Sequence, residues 1–195
     1  MHYHAEIWVP DGEDINAYIS KVMEPHRENY DDARDELTGF WDWFQLGGRW
    51  TGVHTPGFDP SSDPNNIETC TLCNGTGFRM DRVGHIARLS NPTFTCNGCG
   101  KRDVKTNTWG HGRQGPGKSV KWPTDWARYD KDIIPVADIN DDLECHTLIV
   151  GDNIMHRRQW NGTTFEDTDF DGRVKPMLDK LGITSGVLVT IDYHC

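Results

Sequence analysis

Long apolar runs are missing from this chain. Only 35% of its 195 residues are hydrophobic and the mean hydropathy is -0.68. No stretch approaches the roughly 18 consecutive apolar residues of a membrane-spanning helix. The opening Met-His-Tyr-His has neither the charged nor the apolar segment of a signal peptide. These absences set the expectation of a soluble, cytoplasmic protein with no membrane partner. Internal repeats and low-complexity tracts are also absent. So are the H-E-x-x-H, H-x-H-x-D and paired H-x-[ST] patterns, which argues against the common metallohydrolase and two-histidine phosphoesterase designs.

Acidic residues outnumber basic ones, for a net charge of -10, but unevenly. From Arg79 to Arg128 there are ten Lys or Arg against three acidic residues, a balance of +7, which leaves -17 on the rest. A basic module is set in an acidic body. Arg79, Arg82, Lys101 and Arg102, interleaved with Phe78, Phe94, Trp109, Trp122 and Trp126, are candidates for nucleic-acid contact through residues 79–128. Docking of the module on the acidic body is the competing reading.

Six cysteines are present. Cys70-Thr-Leu-Cys73 and Cys96-Asn-Gly-Cys99 are two C-x2-C pairs, a spacing that predicts a four-thiolate structural zinc site. Neighbouring glycines free backbone N–H groups to turn toward sulfur. Four thiolates fill the metal's coordination, so the ion folds the module rather than reacting. Cys145 and Cys195 remain single.

The order of elements reads β-α-β, insertion, β-(β)-α-β. A strand over 2–9 precedes a helix from about 13 that Pro25 breaks, and 26–37 reads as a second, acidic helical piece. Thr147–Val150 and Ile154–Gln159 look like a hairpin, a helix is expected over 172–181, and a strongly β run ends the chain. That order predicts an α+β fold: a ferredoxin-like (split βαβ) body with an inserted four-cysteine zinc module. The expected boundaries are 1–66 and 129–195 for the two halves of the body and 67–128 for the insertion.

Three of the eight tryptophans fall in Phe40-Trp-Asp-Trp-Phe-Gln-Leu-Gly-Gly-Arg-Trp50. Gly47-Gly48 reads either as a hairpin turn or as a bulge in one strand. Strand alternation would place Trp41, Trp43 and Gln45 on one face. Trp41, Trp43 and Trp50 are candidates for an aromatic platform, with Arg49 for a phosphate or carboxylate. A tryptophan-rich core strand is the plainer reading.

Weaker patterns carry less. Gly112–Ser119 matches G-x-x-x-x-G-K-[ST] without the strand and helix that make a P-loop. Asp167, Asp169 and Asp171 start like a calcium loop, yet the twelfth position is Leu178. His2 and His4 would share a strand face; with the first and last strands not expected to be neighbours, the histidines read as isolated surface residues.

Two resemblances follow from these motifs. Cys-Thr-Leu-Cys-Asn-Gly-Thr-Gly resembles, over eight residues, the Cys-x-x-Cys-x-Gly-x-Gly unit of J-protein chaperone zinc fingers; the second pair lacks that unit, and no chaperone role is implied. Trp41–Trp50 is similar to a W-D-W-[YF]-x-[IL]-G-G-R-[WF] segment of uncharacterised bacteriophage and prophage proteins. That resemblance implies a phage accessory protein in an infected or lysogenic bacterial cell and, by analogy of class, one that counters host defence. Three functional readings stay open. A binding protein without catalysis holds a nucleotide-sized ligand, such as a defence signal, on Trp41, Trp43, Arg49 and Trp50. The basic zinc module binds nucleic acid or a nucleic-acid enzyme. A phosphate-ester hydrolase uses Asp42, Arg49 and nearby histidines. Oligomerisation is left open by all three.

Overall fold

His2–Val9 and Val187–His194 are the two long strands, and they pair antiparallel over their whole length, from His2↔His194 to Val9↔Val187. The computed structural model describes residues 1–32, 36–59, 62–96, 99, 102–103, 108–109, 117–121, 130–160 and 163–195. In chain order its main elements are β1 (His2–Val9), α1 (Ile15–Met23), β2 (Trp43–Leu46), β3 (Ile67–Thr69), α2 (Arg82–Ser90), β4 (Lys118–Val120), β5 (Ile133–Pro135), β6 (Thr147–Val150), β7 (Asn153–His156), α3 (Val174–Lys180) and β8 (Val187–His194). They divide between two units, one of Met1–Phe58 with Arg128–Cys195 and one of Asp59–Ala127.

The first unit is a mixed α/β structure on a six-stranded sheet of order β7-β6-β1-β8-β2, with β5 also on β8. β1 and β6 run parallel, and the other pairs are antiparallel. The outer edge of β8 is shared: β5 takes Val187–Val189 and β2 takes Ile191–His194. Between them Gly47 donates its N–H to the Thr190 carbonyl at 2.8 Å, so the chain leaving β2 continues the ladder.

Both faces of this sheet are covered. Asp14 caps α1 by accepting the Ala17 N–H at 2.8 Å. The helix buries Tyr18, Ile19, Val22 and Met23 against Ala5, Ile7, Val9, Ile149, Val189 and Ile191. On the opposite face α3 buries Val174 and Leu178 against Leu148 and Leu188, with Trp8 beside them. Each fully buried aliphatic of this kind stabilises the fold by about 1.5–3 kcal/mol.

The ferredoxin-like expectation needs correction here. A split βαβ sheet places both helices on one face, and the strand following the first helix pairs with the third strand. Here α1 and α3 lie on opposite faces, and β2 joins the far edge of β8 while β7 takes the place beside β6. The cause lies in the strands: Val187-Leu188-Val189 is apolar on both sides, so each side needs cover.

Two local expectations also change. The acidic piece after Pro25 holds a short ribbon, Asn29–Asp31 against Glu36–Thr38, because that stretch offers no apolar stripe for a helix to bury. Gly47-Gly48 is neither hairpin turn nor bulge. It turns the chain out of β2 into a 3-10 turn, Gly48–Trp50.

In the second unit β3 pairs with β4, and Asp81 caps α2 by accepting the Gly84 N–H at 3.0 Å. Val83, Ile86 and Leu89 of α2 are exposed. Among the described residues, no helix is long and apolar enough to cross a membrane.

Candidate functional site

On β1 the side chains of His2, His4, Glu6 and Trp8 point to one face. On β8 those of Leu188, Thr190, Asp192 and His194 share it, as the register requires. Trp8 and Leu188 meet the α3 side of the core. The remaining six positions are polar, and Glu6, Thr190 and Asp192 are fully buried. Burying such groups is costly unless each is partnered.

Partners come from the strands and from the loop after β2. Glu6 Oε1 lies 2.7 Å from His4 Nε2 and accepts the Thr190 hydroxyl at 3.0 Å. Its Oε2 lies 3.3 Å from His54 Nε2, which is also 2.9 Å from the Thr190 hydroxyl. Burial alone would push the Glu6 carboxyl up; hydrogen bonds and charge from His4 and His54 outweigh it and hold the group at about 2. Burial lowers His54, and the hydrogen bond and charge of Glu6 reverse that, so its pKa is raised. Asp192 Oδ1 lies 2.8 Å from His2 Nδ1, and its Oδ2 accepts the Arg49 backbone N–H at 3.0 Å. At the sheet end His194 Nδ1 lies 2.9 Å from Asp42 Oδ1.

Gly48 makes this packing possible. Its φ is +56°, and a Cβ there would stand 2.5 Å from Asp192 Cβ, so only glycine lets the loop lie on the carboxylate. Past it, Gly52 N–H donates to Asp132 Oδ1 at 2.8 Å. Burial raises the Asp132 pKa, the Glu6 charge adds to this, and the Gly52 bond opposes it. Trp50 Nε1, His54 Nδ1 and Asp132 Oδ2 are buried under this loop without a hydrogen-bond partner among the described residues.

A cavity of about 310 Å³ opens beside these groups, lined by His2, His4, Trp50, Glu144, His146 and Arg157 among others. Trp50 stacks on His4, with centroids 5.0 Å apart and planes at 17°. Arg157 Nη1 donates to Glu144 Oε2 at 3.3 Å, with both side chains about half exposed. His146 is lowered by burial first, then by the charges of Arg157 and His4. A wider cleft of about 810 Å³ along β7 is walled by Phe40, Ile154, Met155, His156, Phe170 and Met177 among others. None of its imidazoles is hydrogen-bonded to a buried carboxylate among the described residues.

The aromatic platform expected over Trp41–Trp50 does not assemble. Trp41 is a core residue, 5% exposed, with its Nε1–H on the Met23 carbonyl at 2.8 Å and Phe44 edge-on to its ring. Trp41 and Trp43 do not share a face, because the strand begins only at Trp43. Trp43 meets His2 edge-on at 5.7 Å. Arg49 binds Asp192 through its backbone and does not line the cavity. Only Trp50 of the four borders it.

The reading of the histidines as isolated also falls, because β1 and β8 are neighbours and bring His2 and His194 to 5.2 Å between ring centroids. Glu6, His54, Thr190, Asp192, His146 and Arg157 were not anticipated. For three of them a signal existed: Glu6 continues the alternation of His2 and His4, and Thr190-x-Asp192 makes one face of an otherwise apolar strand polar.

In the second unit the thiols of Cys70, Cys73, Cys96 and Cys99 lie within 4.8 Å of one another, the first three buried. Cys70 and Cys96 sulfurs are 3.8 Å apart and those of Cys73 and Cys99 3.4 Å. Burial opposes ionisation of Cys73, but the Cys99 thiol and the Gly77 and Gly75 amides outweigh it and bring the thiol to about 7. Asn74, at φ 47°, and Gly75 turn the chain so that those amides face sulfur. The donor set fits a metal ion.

Arg79 is held by Asp81 through two bonds of 2.7 Å. Arg82 starts α2 and is exposed. Arg102 lies in a two-residue strand, Arg102–Asp103, paired with Thr108–Trp109. Lys101, Trp122, Trp126 and most of the Gly112–Ser119 pattern lie outside the described residues. The chain matches no known family model, no curated protein and no solved structure.

Proposed function

We propose that the first unit binds a small phosphate-bearing ligand of nucleotide size in the cavity beside Trp50. The observation that carries this reading is the lining: a permanent cation, three imidazoles and a half-buried indole converge on about 310 Å³. That volume lies at the small end of ligand pockets. The indole offers a stacking surface, Arg157 offers a two-pronged donor for phosphate, and His2 and His4 offer ring nitrogens. Glu144 opposes an anion, but its pair with Arg157 is half exposed and is worth no more than about 1 kcal/mol. A phosphate displaces it at small cost. Binding needs no chemistry; hydrolysis of a phosphate ester is a second reading, favoured by the buried Glu6 behind His4.

Zinc is the ion proposed for the four cysteines. A tetrahedron with Zn–S bonds of about 2.3 Å has sulfurs about 3.8 Å apart, close to the 3.8 and 3.4 Å found here. The resemblance of Trp41–Trp50 to the phage segment supports an accessory role in an infected or lysogenic bacterium, with a host-defence nucleotide as the ligand. Nucleic-acid binding through residues 79–128 gains less, since Arg79 is already engaged and α2 exposes aliphatic side chains.

Native mass spectrometry of the protein purified from cells, before and after mild acid denaturation, tests both assignments. One zinc and one nucleotide-sized mass are expected, with the nucleotide lost in Trp50→Ala and Arg157→Ala variants. A chain that carries no such mass and takes up no mono- or dinucleotide at millimolar concentration refutes the ligand reading.

A further inference from the structure

His2 and His4 stand two residues apart on one face of β1, which separates their Cα atoms by about 6.6 Å. Each gives one ring nitrogen to a buried carboxylate: His2 Nδ1 to Asp192 at 2.8 Å and His4 Nε2 to Glu6 at 2.7 Å. An ionised carboxylate accepts an N–H, so each ring is fixed with its other nitrogen, His2 Nε2 or His4 Nδ1, available to gain or lose a proton. Both rings border the cavity that holds Arg157. In-line displacement at phosphorus needs two proton-transfer groups roughly 6–8 Å apart, each within a hydrogen bond of about 2.8 Å of an oxygen on opposite sides of the phosphorus. Two rings at alternate positions on one strand face, both on the wall of one cavity, can flank a phosphate set between them.

We infer that His2 and His4 form an acid–base couple that cleaves ribonucleotide phosphodiesters by attack of the neighbouring 2′-hydroxyl. The inference rests on the ligand reading above and names its substrate class. One imidazole, as the free base, takes the proton of the 2′-hydroxyl, and that oxygen forms a bond to phosphorus. The bond from phosphorus to the 5′-oxygen breaks, and the other ring, as imidazolium, gives its proton to that oxygen. The products are a 2′,3′-cyclic phosphate and a free 5′-hydroxyl, with no water or redox partner consumed. Arg157 offsets charge building on the non-bridging oxygens. Trp50 stacks the retained base, and the leaving nucleoside lies outside a cavity of this size.

Charged and titratable groups face both rings. His4 faces Glu6, with Thr190 and His54 on the same carboxylate. His2 faces Asp192 and, edge-on, His194, itself held by Asp42. Across the cavity stand Glu144, His146 and Arg157. Glu6 and Asp192 are positioning residues.

The test incubates the full-length protein with a ribodinucleoside monophosphate and with its 2′-deoxy counterpart, following products by mass. Calorimetry with a 3′-mononucleotide measures binding separately. Only the ribo compound should be cleaved, to the cyclic phosphate, with a bell-shaped pH–rate profile. His2→Ala and His4→Ala should each lower kcat by about a hundredfold or more. Asp192→Asn should shift the arm of the profile that belongs to His2 without changing the products. Thermal melts show that each variant is folded. Nucleotide binding without cleavage overturns this inference and leaves the ligand reading standing; neither binding nor cleavage overturns both. Equal cleavage of the deoxy compound, or cleavage that survives both alanine variants, also defeats it.

Discussion

Replacing Glu6 by glutamine removes the one charge that His4 and His54 share while keeping the shape of the side chain. In the native protein its two oxygens meet His4 at 2.7 Å, Thr190 at 3.0 Å and His54 at 3.3 Å. Those contacts take the carboxyl from its ordinary 4.5 to about 2. At about 1.4 kcal/mol per pH unit this drop is worth on the order of 3 kcal/mol, in line with the cost of breaking a buried ion pair. The sign follows from linkage. A carboxyl that ionises at lower pH when folded contributes fully above about 4.5, and the contribution is lost as pH falls toward about 2. His54 runs the other way: its pKa is raised, so its part is complete below the ordinary 6.5 and is lost as pH climbs through the folded value. The wild-type advantage over Glu6→Gln should therefore peak between about pH 4.5 and 6.5 and shrink on both sides. Urea titrations of both proteins across that range, followed by tryptophan fluorescence, give the difference directly. A difference below about 1 kcal/mol, or one that does not change with pH, would show that Glu6 is not held ionised by the two histidines.

Gly48→Ala should destabilise the first unit by about 2 kcal/mol or more, since the residue needs φ +56° and its Cβ would meet Asp192; a urea midpoint within error of wild type refutes the close approach. Trp41→Ala should cost about 3–5 kcal/mol of stability, yet leave the affinity of the folded protein for a nucleotide unchanged. Trp50→Ala should do the reverse, and calorimetry beside thermal melts separates the two. Cys73→Ser should drop bound metal from one ion per chain to none by elemental analysis and strip amide-exchange protection from residues 67–90, because the site's binding energy is that unit's folding energy. Retained metal would mean that the four sulfurs are not a single site.

Much of this fold was legible where one periodicity dominated. Ile15, Ile19, Val22 and Met23 marked α1, the C-x2-C spacing marked the cysteine cluster, and the Gly151 turn marked the hairpin of β6 and β7. The strand order was not legible, because nothing in β2 itself says whether it pairs with β6 or with β8. Trp41 and Trp43 share a face only in an unbroken strand. The chain bends at Asp42, so Trp41 drops into the core against Met23 and Trp43 turns to His2.

The candidate site is not legible in the sequence for a related reason. Its members come from β1, β8 and the loop after β2, with Asp132 and His146 arriving from elsewhere, and only the pairing of the first and last strands brings them together. One face of that sheet is mostly apolar under α1, its polar groups Thr147, His156 and the Tyr193 hydroxyl bonded among themselves. The other changes character midway, from Trp8 and Leu188 under α3 to His2, His4, Glu6, Thr190 and Asp192 under the Gly47–His54 loop. A sheet selected for stability alone would continue the apolar layer, since a buried ion pair is often no better than a well-packed hydrophobic one. Here three histidine–carboxylate pairs replace it, and glycine at 48 lets the backbone close over one of the carboxylates. Local rules broken together at one place, with the Glu6 and Asp192 carboxylates turned toward imidazoles, are what a functional site imposes on a fold. That grouping, more than any single residue, is why function is assigned to this end of the sheet and not to the larger cleft along β7.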